Sequence, residues 1–594
     1  MNYNNFIKIL CIISFIVIAA FILVSETAYI ASELMSDDSF YYLQSAWLFK
    51  HHGFFTFDGI NLTYGFQPLW MIACKVLRYI SPDKVFFMKS VLLLSSILYC
   101  TVGYLLFVLS SYLFKGVFKV IPSIIWLFNA NFVFIFISGK ENILAVFILV
   151  VILIILFEYK LKQQMLGIIN VGLLTGLLVL TRINTIIFAA LVLFYLLYET
   201  DGLLNKLKAS IIFLFFAFII VLPWCFYAYS EFGTIFPNSG TVKLQGSFAA
   251  LFLSLQKSIP WMNLNWVKSL LPLKEQILLK MSDKLSLPSS SQLLDFTFGT
   301  LPSISLSFGL FEFLKNLPIA IKELIKLTYY ILFSAGFISL GSLFLLNIKK
   351  ILPVLRDFKK YAKNKLPIIL LFISAALNLS INGLLMPRWL VYSKWYAFQE
   401  ILSVIVIAAF ILYVVNFLVK DIIINWKLNF VVIKTIALIF VILLFSLQLF
   451  PKKFTEKEQF GNEAWIAKEW INKNLKDSVK IASWSSGLLG YFAEKDTIIN
   501  LDGLANSPSF SNDIVFGYTL FQNGLSTYNQ LWEYIKKNKV KYISEIWFEG
   551  QKNEKYFHWT IPVENYSLVY MGNKSVDWNE SPGKRKYMII KLNY

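Results

Sequence analysis

Long apolar runs, each closed by a short polar stretch, dominate the first 450 residues. A transmembrane helix needs about 20 mostly apolar residues. The pattern predicts eleven such spans, at 9–24, 90–114, 120–137, 143–157, 166–180, 183–198, 209–229, 327–346, 366–382, 397–419 and 428–450. The first reads as an uncleaved anchor rather than a signal peptide. Two long stretches, 25–89 and 230–326, fall between spans on one side. Within the second, 247–259 and 298–314 are apolar but interrupted by Pro260, Pro302 and Pro318, which suits helices lying in the interface.

The pattern changes at residue 451. Trp465, Ile466, Trp470 and Ile471 are spaced to line one face of a helix. Strands are predicted at 479–484, 497–501 and 540–545, a helix at 527–538, and alternating runs at 566–571 and 586–592. Helices alternating with short strands point to a layered α/β sheet. The expected fold class is therefore a polytopic α-helical membrane protein over 1–450, followed by a C-terminal extracytoplasmic α/β domain over 451–594.

Charge adds an orientation. Of 594 residues, 57% are hydrophobic and 15% charged, well below the roughly 25% charged of soluble domains. A single water-soluble globule is excluded, and so is intrinsic disorder. The net charge of +19 lies almost wholly before residue 451, where bases exceed acids by 16. Segments 1–8, 115–119, 158–165, 199–208, 347–365 and 420–427, all on one side of the predicted spans, hold 16 bases against five acids. The positive-inside rule then puts the N-terminus in the cytoplasm and the C-terminal domain outside a cytoplasmic membrane. It also accounts for the basic surplus without a nucleic-acid partner.

Chemistry has few places to sit. Cys11, Cys74, Cys100 and Cys225 are scattered through apolar stretches and read as buried free thiols. His51, His52 and His558 build no metal cluster with them, so no metal and no cofactor is expected. Ionisable groups avoid the span centres: Glu400 opens its span and Lys434 can snorkel. Ion-coupled transporters place such groups mid-membrane, which counts against a transporter.

Polar residues collect instead at outer helix ends. Ser36-Asp37-Asp38-Ser39-Phe40-Tyr41-Tyr42 follows the first span. Its adjacent carboxylates repel and titrate apart, or they cap an amphipathic helix. Phe57-Asp58-Gly59 and Thr63-Tyr64-Gly65-Phe66-Gln67-Pro68-Leu69-Trp70 continue the loop, with Phe66, Leu69 and Trp70 read as interfacial anchors. Lys140-Glu141, Arg182 and Asn184, Phe236 through Lys243, and Arg388 through Tyr396 share that side. Cations beside a carboxylate suit a lipid phosphate and a base. Lys243, Arg388 and Arg182 are the candidates for phosphate, each also able to snorkel at the interface.

The Asp-Asp-Ser-Phe-Tyr-Tyr run resembles the acidic motif of the GT-C superfamily of integral-membrane glycosyltransferases, which includes the protein O-mannosyltransferases and lipid A aminoarabinose transferases. Phe57-Asp58-Gly59 with Thr63 through Trp70 is similar to the FDG…TNGF-x-PLW loop of a bacterial group, with Tyr64 in place of Asn. Ser138-Gly139-Lys140-Glu141 resembles its G-M-E with Lys140 for Met, and Thr181-Arg182-Ile183-Asn184 its A-R-x-D with Asn184 for Asp. Phe232 through Ser239 with Lys243, Trp484-Ser485-Ser486-Gly487, Gly490-Tyr491-Phe492 and Asn500-Leu501-Asp502-Gly503-Leu504 extend the likeness.

The resemblance implies inverting transfer of a sugar from a polyprenyl-phosphate donor, embedded among membrane lipids, to a glycan, lipid or protein acceptor at the outer face. Asp37 occupies the position the superfamily uses as general base, and Asp38 would orient the acceptor or a cation. Tyr41, Tyr42, Asp58, Gln67, Glu141, Asn184 and Asp502 are the candidates for substrate contact, though Asp502-Gly503 also reads as a simple turn. The outer tail is expected to handle the acceptor. A flippase of lipid-linked sugars and a non-catalytic relative serving envelope glycan assembly stay open as alternatives.

Overall fold

The computed structural model describes residues 3–162, 165–235, 237–238, 366–385, 398–425, 460–475, 478–493, 497–503, 505–507, 510, 514, 530–548, 556–557, 561–562, 566–572 and 585–593. The spans at 327–346 and 428–450, and the interfacial segments 247–259 and 298–314, lie outside these residues. Eight other spans fall on helices: Tyr3–Val24, Lys84–Leu113, Asn142–Lys162, Met165–Thr181, Ile186–Glu199, Leu203–Phe232, Leu366–Leu385 and Phe398–Asn425. Among the described residues, Tyr3–Val24, Lys84–Leu113 and Leu203–Phe232 are long and apolar enough to cross a membrane by length and composition.

The expected span at 120–137 is not one helix. It divides into Ile121–Phe128 and Ala130–Phe136. Asn129 between them is extended (φ −89°, ψ 107°), and its side-chain oxygen accepts the N–H groups of Asn131 and Phe132. An Asn that bonds the backbone ahead of it competes with helix continuation and caps a new helix instead. Apolarity predicted the burial of this stretch, and one polar side chain set its break.

Segment 25–89 carries two helices, Asp37–His52, buried all round over residues 39–46, and the amphipathic Pro68–Ile80. Pro68 stands at the first position of the second, where its missing N–H costs nothing. Phe66 and Trp70 are not interfacial anchors: they are 3% and 0% exposed, and the Trp70 indole donates to the Gly139 carbonyl at 2.9 Å. The exposed apolar stripe of this helix is Ile72, Val76, Tyr79 and Ile80. Its period of about four residues presents a face opposite to the one carrying Trp70.

The C-terminal part builds a sheet. Its strands are β1 Lys480–Ser483, β2 Thr497–Asn500, β3 Tyr542–Phe548, β6 Tyr566–Met571 and β7 Arg585–Leu592, while β4 Tyr556–Phe557 and β5 Ile561–Pro562 pair separately. The order is β2-β1-β3-β7-β6, parallel from β2 through β3 and antiparallel beyond. Side chains alternate as the two-residue strand period requires. Ile481, Ile498, Tyr587 and Ile589 join the core shared with helices Asp37–His52 and Pro68–Ile80. Ala482, Ile499, Ile590 and Leu592 pack on Leu531, Trp532 and Ile535 of helix Gln530–Lys537. The sheet is thus one layer between helices.

Helix Phe460–Asn474 buries Glu463, Ala464, Ala467 and Ile471; of the expected face Ile471 is buried, Trp465 and Trp470 pack partly buried on the core, and only Ile466, 42% exposed, turns away. Small residues win this face because the helix comes close to the irregular turn Ile30–Leu34. A second tie is reciprocal: the Tyr491 hydroxyl donates to the Lys84 carbonyl at 2.6 Å, and the Lys84 ammonium donates to the Tyr491 carbonyl.

Candidate active site

The site grows from the start of helix Asp37–His52. Ser36 is extended ahead of it (ψ 157°), so Asp37 and Asp38 occupy the first helical turn, where carboxylates are favoured by the exposed backbone N–H groups. Ser39 donates to the Ser138 carbonyl at 2.6 Å and anchors this turn on the loop before helix Asn142–Lys162. That loop bends at Gly139 in the left-handed region (φ +83°), where a Cβ would also meet the Met35 methyl at 2.8 Å. Only glycine meets both demands cheaply. The bend delivers Lys140 and Glu141 to the helix.

Two ion pairs follow. The Lys140 ammonium, 3% exposed, lies 3.2 Å from Asp38 Oδ2. Arg182 lies 3.3 Å from Glu141 Oε1, with both side chains below one-tenth exposed. Glu141 Oε2 accepts the Tyr42 hydroxyl at 3.1 Å, and that hydroxyl accepts the Gln67 backbone N–H at 3.0 Å. Arg182 also donates to Asn142 and faces the Phe398 ring. Asn184 donates to Asn378, which donates to Glu400. Polar groups therefore run from helix Asp37–His52 to Asn378 within helix Leu366–Leu385 and Glu400 in the first turn of Phe398–Asn425.

The C-terminal domain closes the other side, through loops at the carboxyl ends of the parallel strands β1 and β2. In open α/β sheets this edge is where ligands bind. Asp37 Oδ2 accepts the Gly487 N–H at 3.1 Å and Oδ1 the Leu488 N–H at 3.0 Å. The Tyr41 hydroxyl donates to Asp502 Oδ2 at 2.9 Å and accepts from Asn500 Nδ2 at 3.2 Å. Burial pushes the Asp37 carboxyl up to about 6, and neighbouring Asp38 adds to the rise; the two backbone N–H groups and Tyr41 pull against it. Burial, followed by the Asp502, Asp37 and Asp38 charges, drives Tyr41 well above its ordinary value, so it stays a neutral donor. Burial and Glu141 do the same to Tyr42.

Comparison with known proteins bears on this arrangement. A sequence family described as a domain of unknown function (DUF8728) matches residues 453–588. No curated protein matches the chain. Among solved structures, the Archaeoglobus fulgidus oligosaccharyltransferase tethered to an acceptor peptide with an NVT sequon is similar with a TM-score of 0.50 at 14% identity, over 98% of this chain and 74% of that one. This chain has the GT-C fold. The same archaeal enzyme, AglB, in complex with an inhibitory peptide and a dolichol-phosphate gives 0.47 at 14% identity, covering 91% and 69%. ArnT from Cupriavidus metallidurans gives 0.39 at 11%, covering 97% of both chains.

Within this fold the sequence candidates divide into groups. Asp37, Asp38, Tyr41 and Asp502 meet at the junction with the C-terminal domain. Tyr42, Glu141, Arg182 and Asn184 form the adjoining polar chain. The Gln67 backbone belongs to it through Tyr42. Asp58 stands apart: its carboxylate accepts the N–H groups of Ile60 at 2.8 Å and Asn61 at 2.7 Å, and the Asn61 amide at 2.6 Å, fixing its own turn. Lys243 and Arg388 lie outside the described residues.

Several residues at the site were not singled out in the sequence. Asn500 donates to Tyr41 and to Ser486 Oγ while its own oxygen accepts the Gly503 N–H. It stood in the Asn-Leu-Asp-Gly-Leu motif, which was its one signal. The amides of Gly487 and Leu488 gave none, because backbone donors have no residue-type signature.

Proposed function

We propose that this membrane protein transfers a sugar from a polyprenyl-phosphate donor to an acceptor at the outer face of the cytoplasmic membrane, with inversion and with Asp37 as general base. The observation that carries this reading is Asp37 itself, a half-buried carboxylate held by two backbone N–H groups where the outer helix meets the C-terminal domain. The acceptor hydroxyl gives its proton to Asp37 as its oxygen bonds the anomeric carbon. The bond from that carbon to the phosphate oxygen breaks, and the phosphate leaves with the electron pair. Cations at the outer face stabilise the departing charge, a contribution that can dominate the barrier. Lys243 and Arg388 are assigned to it, with Arg182 one step removed behind Glu141. The relative that shares the fold at a TM-score of 0.50 is an oligosaccharyltransferase holding an acceptor peptide, which is chemistry of the same class.

The test is direct. Purified protein in proteoliposomes should move radiolabelled sugar from polyprenyl phosphate to an acceptor. Label that merely crosses the bilayer, still on its lipid, points to a flippase instead.

A pH dependence follows. A general base works ionised, so the rate should rise with pH through about 6, where Asp37 loses its proton. Asp38 raises that value, so Asp38→Asn should move the acid limb to lower pH. A limb that stays in place, or moves up, would contradict the assignment of Asp37. Stability has the opposite sign: because burial raises the Asp37 carboxyl above its ordinary value of 3.8, its contribution is greatest below that value and fades as pH rises through about 6.

A further inference from the structure

Asp37 is completed by groups that belong to another part of the chain. The Gly487 and Leu488 amides that hold its two oxygens lie 450 and 451 residues away in sequence. Asp502, from the loop after β2, accepts the hydrogen bond of the Tyr41 hydroxyl one helical turn beyond Asp37. We propose that docking of the C-terminal domain sets the orientation and proton affinity of Asp37, with Gly487, Leu488 and Asp502 as its positioning groups. This rests on Asp37 being the base assigned above and adds how that base is controlled.

Three observations carry it. The paired N–H bonds, one to each oxygen, fix the carboxylate plane and therefore which lone pairs face outward for an acceptor proton. They also favour the ionised form. Gly487 is the residue this approach requires: a Cβ there would sit 2.2 Å from the Asp37 carbonyl oxygen and 2.8 Å from Oδ1. Finally, Tyr41 has a single hydroxyl proton. Asp502 accepts it at 2.9 Å and Asn500 donates to the hydroxyl oxygen, so Asp37, which Tyr41 also pulls down, competes with Asp502 for that one proton.

The charged and titratable neighbours of Asp37 come from every surrounding element. Asp38 and Tyr41 share its helix. Lys140 reaches it through the ion pair with Asp38. Tyr587 faces it from β7, raised by burial well above its ordinary value and so neutral through the working range. Asp502 acts through Tyr41. Of these, the C-terminal domain supplies Tyr587 and Asp502 as well as the two amides.

The experiment uses the full-length protein in proteoliposomes and reads pH–rate profiles of three variants. Gly487→Ala stretches both N–H bonds while leaving Asp37 buried, so the acid limb should rise by about one pH unit. Turnover should fall by roughly tenfold to a hundredfold, the scale of a misplacement near 1 Å, with donor KM unchanged. Asp502→Ala frees the Tyr41 proton for Asp37, so the limb should fall. In Tyr41→Phe the limb should rise, and adding Asp502→Ala to it should then shift nothing further. Opposite shifts from two sites on the same domain are not what simple loosening of that domain produces.

A second readout needs no activity. Hydrogen exchange at the Gly487 and Leu488 amides should accelerate in Asp37→Ala, with the strands β1 and β3 unchanged. Accelerated exchange in a protein that transfers no sugar upholds the contact and removes the catalytic reading. Normal transfer with unmoved limbs in Gly487→Ala and Asp502→Ala overturns the coupling and leaves the catalytic reading standing. Unchanged exchange in Asp37→Ala overturns it as well.

Discussion

Asp37→Asn should abolish most turnover while sparing fold and donor binding. A positioned general base contributes about 10²–10⁴-fold in rate, and the loss should fall in that range. The exchange is nearly isosteric, and one of the two backbone N–H groups at Asp37 keeps an oxygen acceptor. The measurement is single-turnover transfer of labelled sugar at pH 7.5, alongside donor binding. Asp38→Asn is the informative control. Its carboxylate is 36% exposed and engaged by Lys140, so it should retain more activity than Asp37→Asn. Wild-type turnover in Asp37→Asn with a dead Asp38→Asn would name the right pair and the wrong residue. Full activity in both would place the chemistry elsewhere.

Arg182→Ala should give the largest loss of stability at the site. Arg182 and Glu141 are 5% and 9% exposed at 3.3 Å, and Arg182 also supports Asn142. Removing one partner of a buried pair leaves the other charge uncompensated, at a cost of about 3–5 kcal/mol. Scanning fluorimetry in detergent should show a clear fall in Tm. Adding Glu141→Gln should recover much of it, because the stranded charge is gone. A Tm that is unchanged in Arg182→Ala would mean that the pair contributes nothing. A fall that Glu141→Gln does not relieve would trace the loss to packing against Phe398 instead. Arg182 was picked out in the sequence for phosphate binding, and its burial gives it a structural duty beside that assignment.

How far the site was legible varied with the kind of signal. Asp37, Asp38, Tyr41 and Tyr42 were visible because polar residues in a dense run beside a membrane anchor are unusual. Arg182, Asn184 and Glu141 were visible as helix-end polars, but nothing in the sequence said that Arg182 faces Glu141 or that Asn184 faces Asn378. Lys140 read as a departure from a motif, and only packing gave it Asp38 as partner. Trp70 looked like an anchor because Trp favours interfaces; its indole found a buried carbonyl instead. Residue type states what a side chain can do, and the surrounding backbone selects one of those options.

By itself the sequence determined the run of apolar helices and the change at residue 451 to short strands and helices. It also determined the acidic turn after the first anchor. These are local properties: hydrophobic length, a period of two or of about four, and the pairing of turn residues with charge. The helix break at Asn129, the buried Ala464/Ala467 face and the meeting of Asp37 with Gly487 were decided only by tertiary structure. The last two depend on which groups come together across long stretches of chain, whereas the break at Asn129 is a local choice between helix continuation and a cap. A backbone N–H carries no mark of the carboxylate it will hold until the two are packed side by side.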